Sequence, residues 1–271
     1  MPSLRTTMLT VIGMAVVLTA CSSSDPTSTT IASEAQSDGC TIDGDGAAPM
    51  ATTKLIIEYN ATDEDLGVHG QFDDDGWSEL CVFDPTGTPT MVITPAGSLG
   101  DLTVGSVFFE SREPPLDEFG FPELAERFPA GDYRVLARSY DGEILEGTAR
   151  FSHDVPAKPN ITAPELTDED AASDAVVATT DFVVSWEPVT ETVDGTPVDI
   201  TAYEVIITNA DHEDPNGFSQ PVYDVHLSPE VTSLEVPPVF FEPDTVYELE
   251  VLALEASGNQ TIAVGFFTSA S

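Results

Sequence analysis

Acidic side chains are the residues of this chain with the clearest capacity for chemistry. Asp and Glu number 48 against 8 Lys and Arg. One cluster of three consecutive acids lies in "FDDDGW", 72–77, where Asp73, Asp74 and Asp75 offer the oxygen ligands that calcium prefers. No acidic cluster has the spacing of an EF-hand loop, which needs alternating oxygen residues, a Gly and a distant Glu. The sequence leaves two interpretations open for these three aspartates, a calcium site or solvated turn residues.

Patterns for catalysis or for other cofactors are sparse. The four histidines, His69, His153, His212 and His226, are scattered without a His-Glu-x-x-His zinc motif or a His-x-His pair. Each is therefore interpreted as a surface or turn residue rather than a metal ligand. No glycine loop for phosphate is recognisable. These observations favour a protein that is not an enzyme and that, calcium apart, needs no cofactor.

The N-terminus has the features of an export signal. "MPSLRTTMLTVIGMAVVLTAC" carries one charge, Arg5, before an apolar run that is too short to remain as a spanning helix. "LTAC", 18–21, resembles the lipobox of bacterial lipoproteins. That resemblance implies that residues 1–20 are a signal peptide, that Cys21 carries fatty acyl chains such as palmitate, and that the mature protein is anchored to a membrane. The alternative is an ordinary signal peptide, which would release a soluble protein.

Residues 21–39 are rich in Ser and Thr and show no apolar periodicity, which predicts a flexible tether. In the lipoprotein family, Ser22 directly after the acylated Cys21 resembles the default signal for the outer membrane. We therefore expect a lipid-anchored protein of the cell envelope. It would lie in the outer membrane if the organism has one, and otherwise on the outer face of the plasma membrane.

Cys40 and Cys81 are the cysteines that remain once Cys21 is acylated. A lone pair of cysteines in an oxidising compartment is more often a disulfide than two free thiols. We expect a bond between them that fixes the end of the tether to the first folded domain.

The formal charge is -40, and removal of Arg5 with the signal peptide makes it -41. Such a surface repels nucleic acid and anionic lipid headgroups, so neither is an expected partner. Abundant acid with little Lys resembles proteins of salt-adapted organisms. An acidic secreted protein from an ordinary habitat fits equally well.

Short runs of β-branched and aromatic residues recur between turn residues in the first half of the mature chain, and they predict a β-sandwich. "DG", 141–142, is a favourable hairpin turn between two of these runs. "FPELAERF", 121–128, predicts one short helix. The proline-rich stretch 153–170 is interpreted as a linker. Residues 40–155 are therefore expected to form an immunoglobulin-like sandwich, and residues 156–271 a second domain.

The second half resembles a fibronectin type III domain. "FVVSWEP" (182–188), "ITAYEVIIT" (200–208), "TSLEVPP" (232–238) and "PDTVYELEVLALEASGN" (243–259) match the B, C, E and F strands of that family in order. The resemblance implies that Trp186 and Tyr203 fill the core and that Tyr247 bonds to backbone upstream of it. The predicted fold class is all-β, with two consecutive sandwiches.

The fold says little about activity, because it hosts many functions. The sequence favours a non-enzymatic binding, adhesion or structural module whose partner is an envelope protein or a glycan. The alternative is an accessory or catalytic component of extracellular polysaccharide or peptide processing.

Overall fold

The computed structural model describes residues 39–210, 212 and 222–271, and β-strands dominate its regular structure. This confirms the predicted all-β fold class. Cys21, the signal peptide 1–20 and the tether up to residue 38 lie outside the described residues. Within the described ranges, no helix has both the length and the apolar character needed to cross a membrane.

The first half forms a sandwich, and a short helix lies at the position predicted from the sequence. Its elements are β1 (Ala48–Pro49), β2 (Thr52–Asn60), β3 (Asp65–Phe83), β4 (Pro89–Ile93), α1 (Gly97–Leu102), β5 (Val104–Glu110), α2 (Phe121–Arg127), β6 (Gly131–Ser139) and β7 (Ile144–Phe151). The predicted hairpin turn joins β6 to β7, with Gly142 at a φ of 90°.

Strand β3 is 19 residues long and belongs to both layers of this sandwich. Its first part pairs with β2 and β5, and its last part pairs with β6 and β4. The strand changes partners near Gly76, where φ is 145° and the register shifts. A Cβ at Gly76 would come within 2.8 Å of Thr103 Oγ1, so this bend requires glycine. The next residue, Trp77, is fully buried in the core between the layers.

The second half has the strand order expected of a fibronectin type III-like sandwich. Its elements are β8 (Asn160–Ala163), β9 (Val176–Val177), β10 (Val183–Glu187), β11 (Ile200–Asn209), β12 (Val222–Leu227), β13 (Ser233–Glu235), β14 (Val246–Glu255) and β15 (Gln260–Ser269), with 3-10 helices at Glu169–Asp174 and Pro238–Phe240. One layer has the order β13-β10-β8, and the other runs β15-β14-β11-β12.

The core of the second half contains the three aromatic residues named from the sequence. Trp186, Tyr203 and Tyr247 are 3, 1 and 1% exposed, and the Trp186 and Tyr203 ring centroids lie 5.3 Å apart. The hydroxyl oxygen of Tyr247 accepts a 2.8 Å hydrogen bond from the backbone N–H of Glu242, upstream as expected. Burial of these rings between two layers stabilises the fold through the apolar area they remove from water.

The two halves share one sheet. Strand β2 of the first half pairs in parallel with β15 of the second, so the order β1-β7-β6-β3-β2-β15-β14-β11-β12 forms a continuous path within a 12-stranded sheet. Two sandwiches connected only by a linker, as the sequence indicated, would not have this pairing. Part of the predicted linker, 153–170, is also structured, since it contains β8.

Asn259 fixes this junction from the turn between β14 and β15. It is fully buried, its side-chain oxygen accepts a 2.8 Å hydrogen bond from Ile57 N–H, and its amide nitrogen donates to Ser152 O at 3.2 Å. Because buried polar groups are costly when unpaired, these bonds hold the two halves in one arrangement.

Candidate ligand-binding groove

A groove with a volume of about 570 Å³ lies on the outer face of the continuous sheet, across the junction of the halves. Side chains alternate between the two faces of a strand, so residues next to core positions line it. Ile57 on β2 and Leu249 on β14 point into the two cores, whereas Glu58 and Glu250 line the groove. The groove exists only because β2 pairs with β15, and both halves contribute to it.

Carboxyl groups dominate the charge of the groove. Four glutamates line it, Glu58 and Glu110 from the first half and Glu204 and Glu250 from the second, together with Lys54 as the only lysine or arginine among the described lining residues. The remaining contacts are supplied mainly by isoleucine, leucine and glutamine side chains and by Phe108, which is 65% exposed. The surface therefore offers negative charge within a partly apolar setting, which suits a cationic ligand.

Several of these carboxyl groups hold their protons more tightly than usual. Burial, as the largest cause, and the neighbouring carboxylates of Glu248 and Glu58 together raise the pKa of Glu250 to about 7. Burial also raises the pKa of Glu204 to about 7, although His226 opposes the shift. The pKa of Glu58 is raised as well, again chiefly by burial. A bound cation would stabilise the ionised forms of all three groups.

Each half brings one histidine together with carboxylates at this groove. In the first half, His69 is 5% exposed, and Glu58 and Glu113 lie beside its ring. In the second half, His226 Nε2 lies 3.0 Å from Glu204 Oε1, and Asp224 completes the cluster. In both clusters the candidate ligand atoms lie within 4.8 Å of one another. Imidazole nitrogen and carboxylate oxygen are ligands that divalent transition metals accept.

The residues singled out from the sequence lie elsewhere. Cys40 and Cys81 form the predicted disulfide, with their Cα atoms 5.9 Å apart, beside a small apolar cluster that includes Ile42 and Leu136. This bond fixes the segment before β1 to β3, away from the groove. Trp186, Tyr203 and Tyr247 are core residues.

The candidate calcium residues Asp73, Asp74 and Asp75 lie within β3, at its bend, rather than in a loop between strands. Asp74 uses its carboxylate locally: Oδ2 accepts a 2.9 Å hydrogen bond from Ala51 N–H, and Oδ1 accepts a 2.8 Å bond from Asp75 N–H. Calcium binding there stays a prediction.

The histidine interpretation needs correction at one position. His69 is buried on a strand and is not a surface or turn residue, because strand pairing places it between Ile56 on β2 and Glu110 on β5. His226 lies on β12 with its side chain 60% exposed.

Sequence reasoning missed the groove carboxylates because a Glu on the polar face of an alternating strand normally faces solvent. The alternation in "KLIIEY" and "VYELEV" identified that face without showing that two such faces join.

No protein-family model matches this chain, and no curated protein matches it. Solved structures with detectable similarity include a computationally redesigned β-sandwich protein, at 22% identity, a TM-score of 0.27 and coverage of 43% of this chain and 89% of that one. The FN1–FN3 domains of chicken CNTN1 match at 16% identity and a TM-score of 0.33, covering 85% of this chain and 71% of that one.

A 1.5-MDa bacterial ice-binding adhesin retained on its host cell surface also matches, at 15% identity and a TM-score of 0.26, covering 81% of this chain and 64% of the adhesin chain. All these likenesses are remote. The function of the present chain has to follow from its own residues.

Proposed function

We propose that this chain is a lipid-anchored, non-enzymatic binding module of the cell envelope, and that the groove across the two sandwiches is its recognition surface. The observation that carries the proposal is the convergence of four glutamates from both halves on one partly apolar groove. The partner that fits this chemistry is a segment of an envelope protein that presents Lys or Arg side chains. A neutral glycan would leave the carboxylates without a counter-charge.

The raised pKa values give the binding reaction a measurable signature. Glu204 and Glu250, with pKa values of about 7, are partly protonated at neutral pH. A cationic side chain lowers the pKa of a carboxyl group beside it, so binding near pH 7 should release protons. A cation bound to ordinary surface carboxylates, which are already ionised at pH 7, would release none.

The test is calorimetric titration of the mature chain with a synthetic arginine-rich peptide, at physiological salt and in buffers of different ionisation enthalpy. The double variant Glu204→Gln, Glu250→Gln should bind more weakly and release fewer protons. Asp117→Asn, Glu123→Gln is the control, because it neutralises two exposed carboxylates outside the groove. Equal weakening in both variants would show that only overall charge matters. Tighter binding of a neutral oligosaccharide than of the arginine-rich peptide would contradict the proposed partner.

The proposed membrane anchor is tested separately. Replacing Cys21 with Ser should move the protein from the detergent phase to the aqueous phase, because the acyl chains contribute most of the membrane affinity. A Cys21→Ser protein that stays with the membrane would contradict the anchor, and with it the proposed envelope location. Fractionation of inner and outer membranes, where both exist, checks the outer-membrane assignment.

A further inference from the structure

We propose that the groove contains a site for a divalent transition metal ion at His69 and Glu58, held in place by Glu113. The site goes beyond partner binding and does not depend on it, since all its ligands belong to this chain. His69 is on β3, Glu58 is on the adjacent β2, and Glu113 follows β5. Their candidate ligand atoms lie within 4.8 Å of one another.

The two ring nitrogens of His69 have different surroundings. Its Nε2 lies 2.9 Å from Glu113 Oε1, within hydrogen-bond distance, whereas Nδ1 lies 3.6 Å from Glu58 Oε2, which is too long for a hydrogen bond. A neutral imidazole has one N–H and one lone pair, so the N–H is assigned to Nε2. The lone pair on Nδ1 then faces a carboxylate oxygen.

Two electron-rich atoms facing each other in a buried site are unfavourable unless a cation lies between them. Two ligands on one tetrahedral zinc ion, with bonds of about 2.0–2.1 Å, are separated by about 3.3 Å. The 3.6 Å distance from Nδ1 to Glu58 Oε2 is close to that separation. A proton shared with Nδ1 is the competing explanation, and it would draw the two atoms toward a normal hydrogen-bond distance.

The groups around these two ligands are arranged as outer-shell partners. Glu113 accepts the N–H of the ligating histidine, an arrangement that fixes ring orientation in many metal sites. The side-chain amide of Gln260, from the second half, donates to Glu58 Oε2 and orients that carboxylate. Glu110 is paired with His69 across the strands and adds a neighbouring negative charge.

Gly67 provides the space that Glu113 occupies. It lies opposite Glu58 in the strand register, and a Cβ at Gly67 would come within 2.7 Å of Glu113 Cγ and 2.9 Å of Glu113 Oε1. Glycine at this position therefore permits Glu113 to reach His69. The substitution Gly67→Ala should displace Glu113 without removing either of the two metal ligands.

The mixed nitrogen and oxygen donor set favours zinc or a neighbouring first-row ion over calcium, which prefers oxygen alone. The probe is zinc, and its binding to the mature, disulfide-bonded chain is measured by calorimetric titration. The buffer contains salt and excess magnesium, so that the many surface carboxylates are already occupied. Cobalt absorption provides a second readout of inner-shell ligands. No partner is present, so the result is independent of the proposed peptide binding.

We expect one tight equivalent of zinc in the wild-type chain. Its retention in His226→Asn distinguishes this site from the second-half cluster, because that variant removes the histidine of the competing cluster. His69→Asn and Glu58→Gln should abolish that equivalent, and Glu113→Gln should weaken it about 10- to 100-fold. Gly67→Ala should also weaken zinc binding. Circular dichroism verifies that each variant is folded.

Unchanged zinc binding in folded His69→Asn would overturn the proposal, as would the absence of saturable binding in the wild type. Loss of the tight equivalent in His226→Asn alone would also overturn it, and would assign the metal to the second-half cluster. Should His69→Asn fail to fold, Glu58→Gln and Gly67→Ala still decide the question.

Discussion

Both halves of this molecule are β-sandwiches, but their strands are divided between the two layers in different ways. In the second half, each strand belongs to one layer, and Tyr247 and Trp186 lie in a core that the strand sequences predict. In the first half, one strand of 19 residues serves both layers, and a bend at Gly76 separates its two roles. The difference shows that local alternation predicts the strands of both halves but not a strand that changes from one layer to the other.

The halves also differ in how they contribute to the groove. The first-half cluster is buried, with His69 only 5% exposed, whereas the second-half histidine, His226, has a side chain that is 60% exposed. A buried imidazole has fixed partners and suits a metal ion. An exposed histidine beside Glu204 suits a ligand that arrives from solvent. Five measurements test whether the halves have distinct cores and whether the shared sheet joins them.

The largest expected effect is in the second core. Trp186→Ala should lower the free energy of unfolding by about 3–5 kcal/mol, because it leaves a cavity that the layers cannot fill. Val239→Ala is the control, since Val239 is 93% exposed. Chemical denaturation measures both variants. A Trp186→Ala protein of unchanged stability would mean that this core tolerates the loss, and that it is not organised around the tryptophan.

The disulfide should stabilise the first half by up to about 4 kcal/mol, from the loop entropy that it removes from the unfolded chain. Cys40 and Cys81 are 41 residues apart. Replacing both with Ala should speed amide exchange in β3 and β6 more than in β14. Intact-mass measurement after alkylation verifies the bond first, and two alkylated thiols in the unreduced protein would contradict it.

Asn259→Ala should cost about 2–3 kcal/mol, because it leaves groups of the first half unpaired, among them the buried Ile57 N–H. The control is Asn160→Ala, at an exposed asparagine. If the halves are joined as the continuous sheet indicates, the variant should separate one unfolding transition into two in calorimetry. An unaltered single transition at the wild-type temperature would show that the junction does not depend on this amide.

Stability should rise as pH falls from about 8 toward about 5. The folded-state pKa values of Glu204 and Glu250 are raised to about 7, above those of an unfolded chain, so the folded state binds more protons in this window. Ionisation of these groups above pH 7 therefore destabilises the fold. Melting temperatures at several pH values should vary less in Glu204→Gln, Glu250→Gln. If the melting temperature of that variant depended on pH as steeply as in the wild type, other acidic groups would be the cause.

Sodium chloride should produce the smallest effect, a modest rise in melting temperature that is mostly complete by a few tenths molar, where the Debye length is about 6 Å. The cause is screening of the net charge of -40. Indifference to salt would show that this surface does not strain the fold. A larger response to calcium than to magnesium, lost in Asp74→Asn, would instead support the calcium site at Asp73, Asp74 and Asp75.

The sequence alone determined the elements that depend on local pattern. The alternation of "PDTVYELEVLALE" predicted β14, and the tyrosine within it predicted the hydrogen bond to upstream backbone. The hairpin at 141–142 and the helix at 121–128 followed from turn and capping chemistry that involves only neighbouring residues. The pairing of Cys40 with Cys81 followed from the expectation that they are the two cysteines left in an oxidising compartment.

Only the tertiary structure decided the rest, because it depends on pairing between segments far apart in the chain. Nothing within "KLIIEY" shows that Glu58 meets Gln260 across a shared strand pair, 202 residues away. The bend of β3 is likewise invisible to a period-two pattern, since the acidic run before Gly76 resembles a loop. The groove and the burial of His69 arise from that long-range pairing: a polar strand face is solvent-exposed by itself and becomes a site only when another sheet edge joins it.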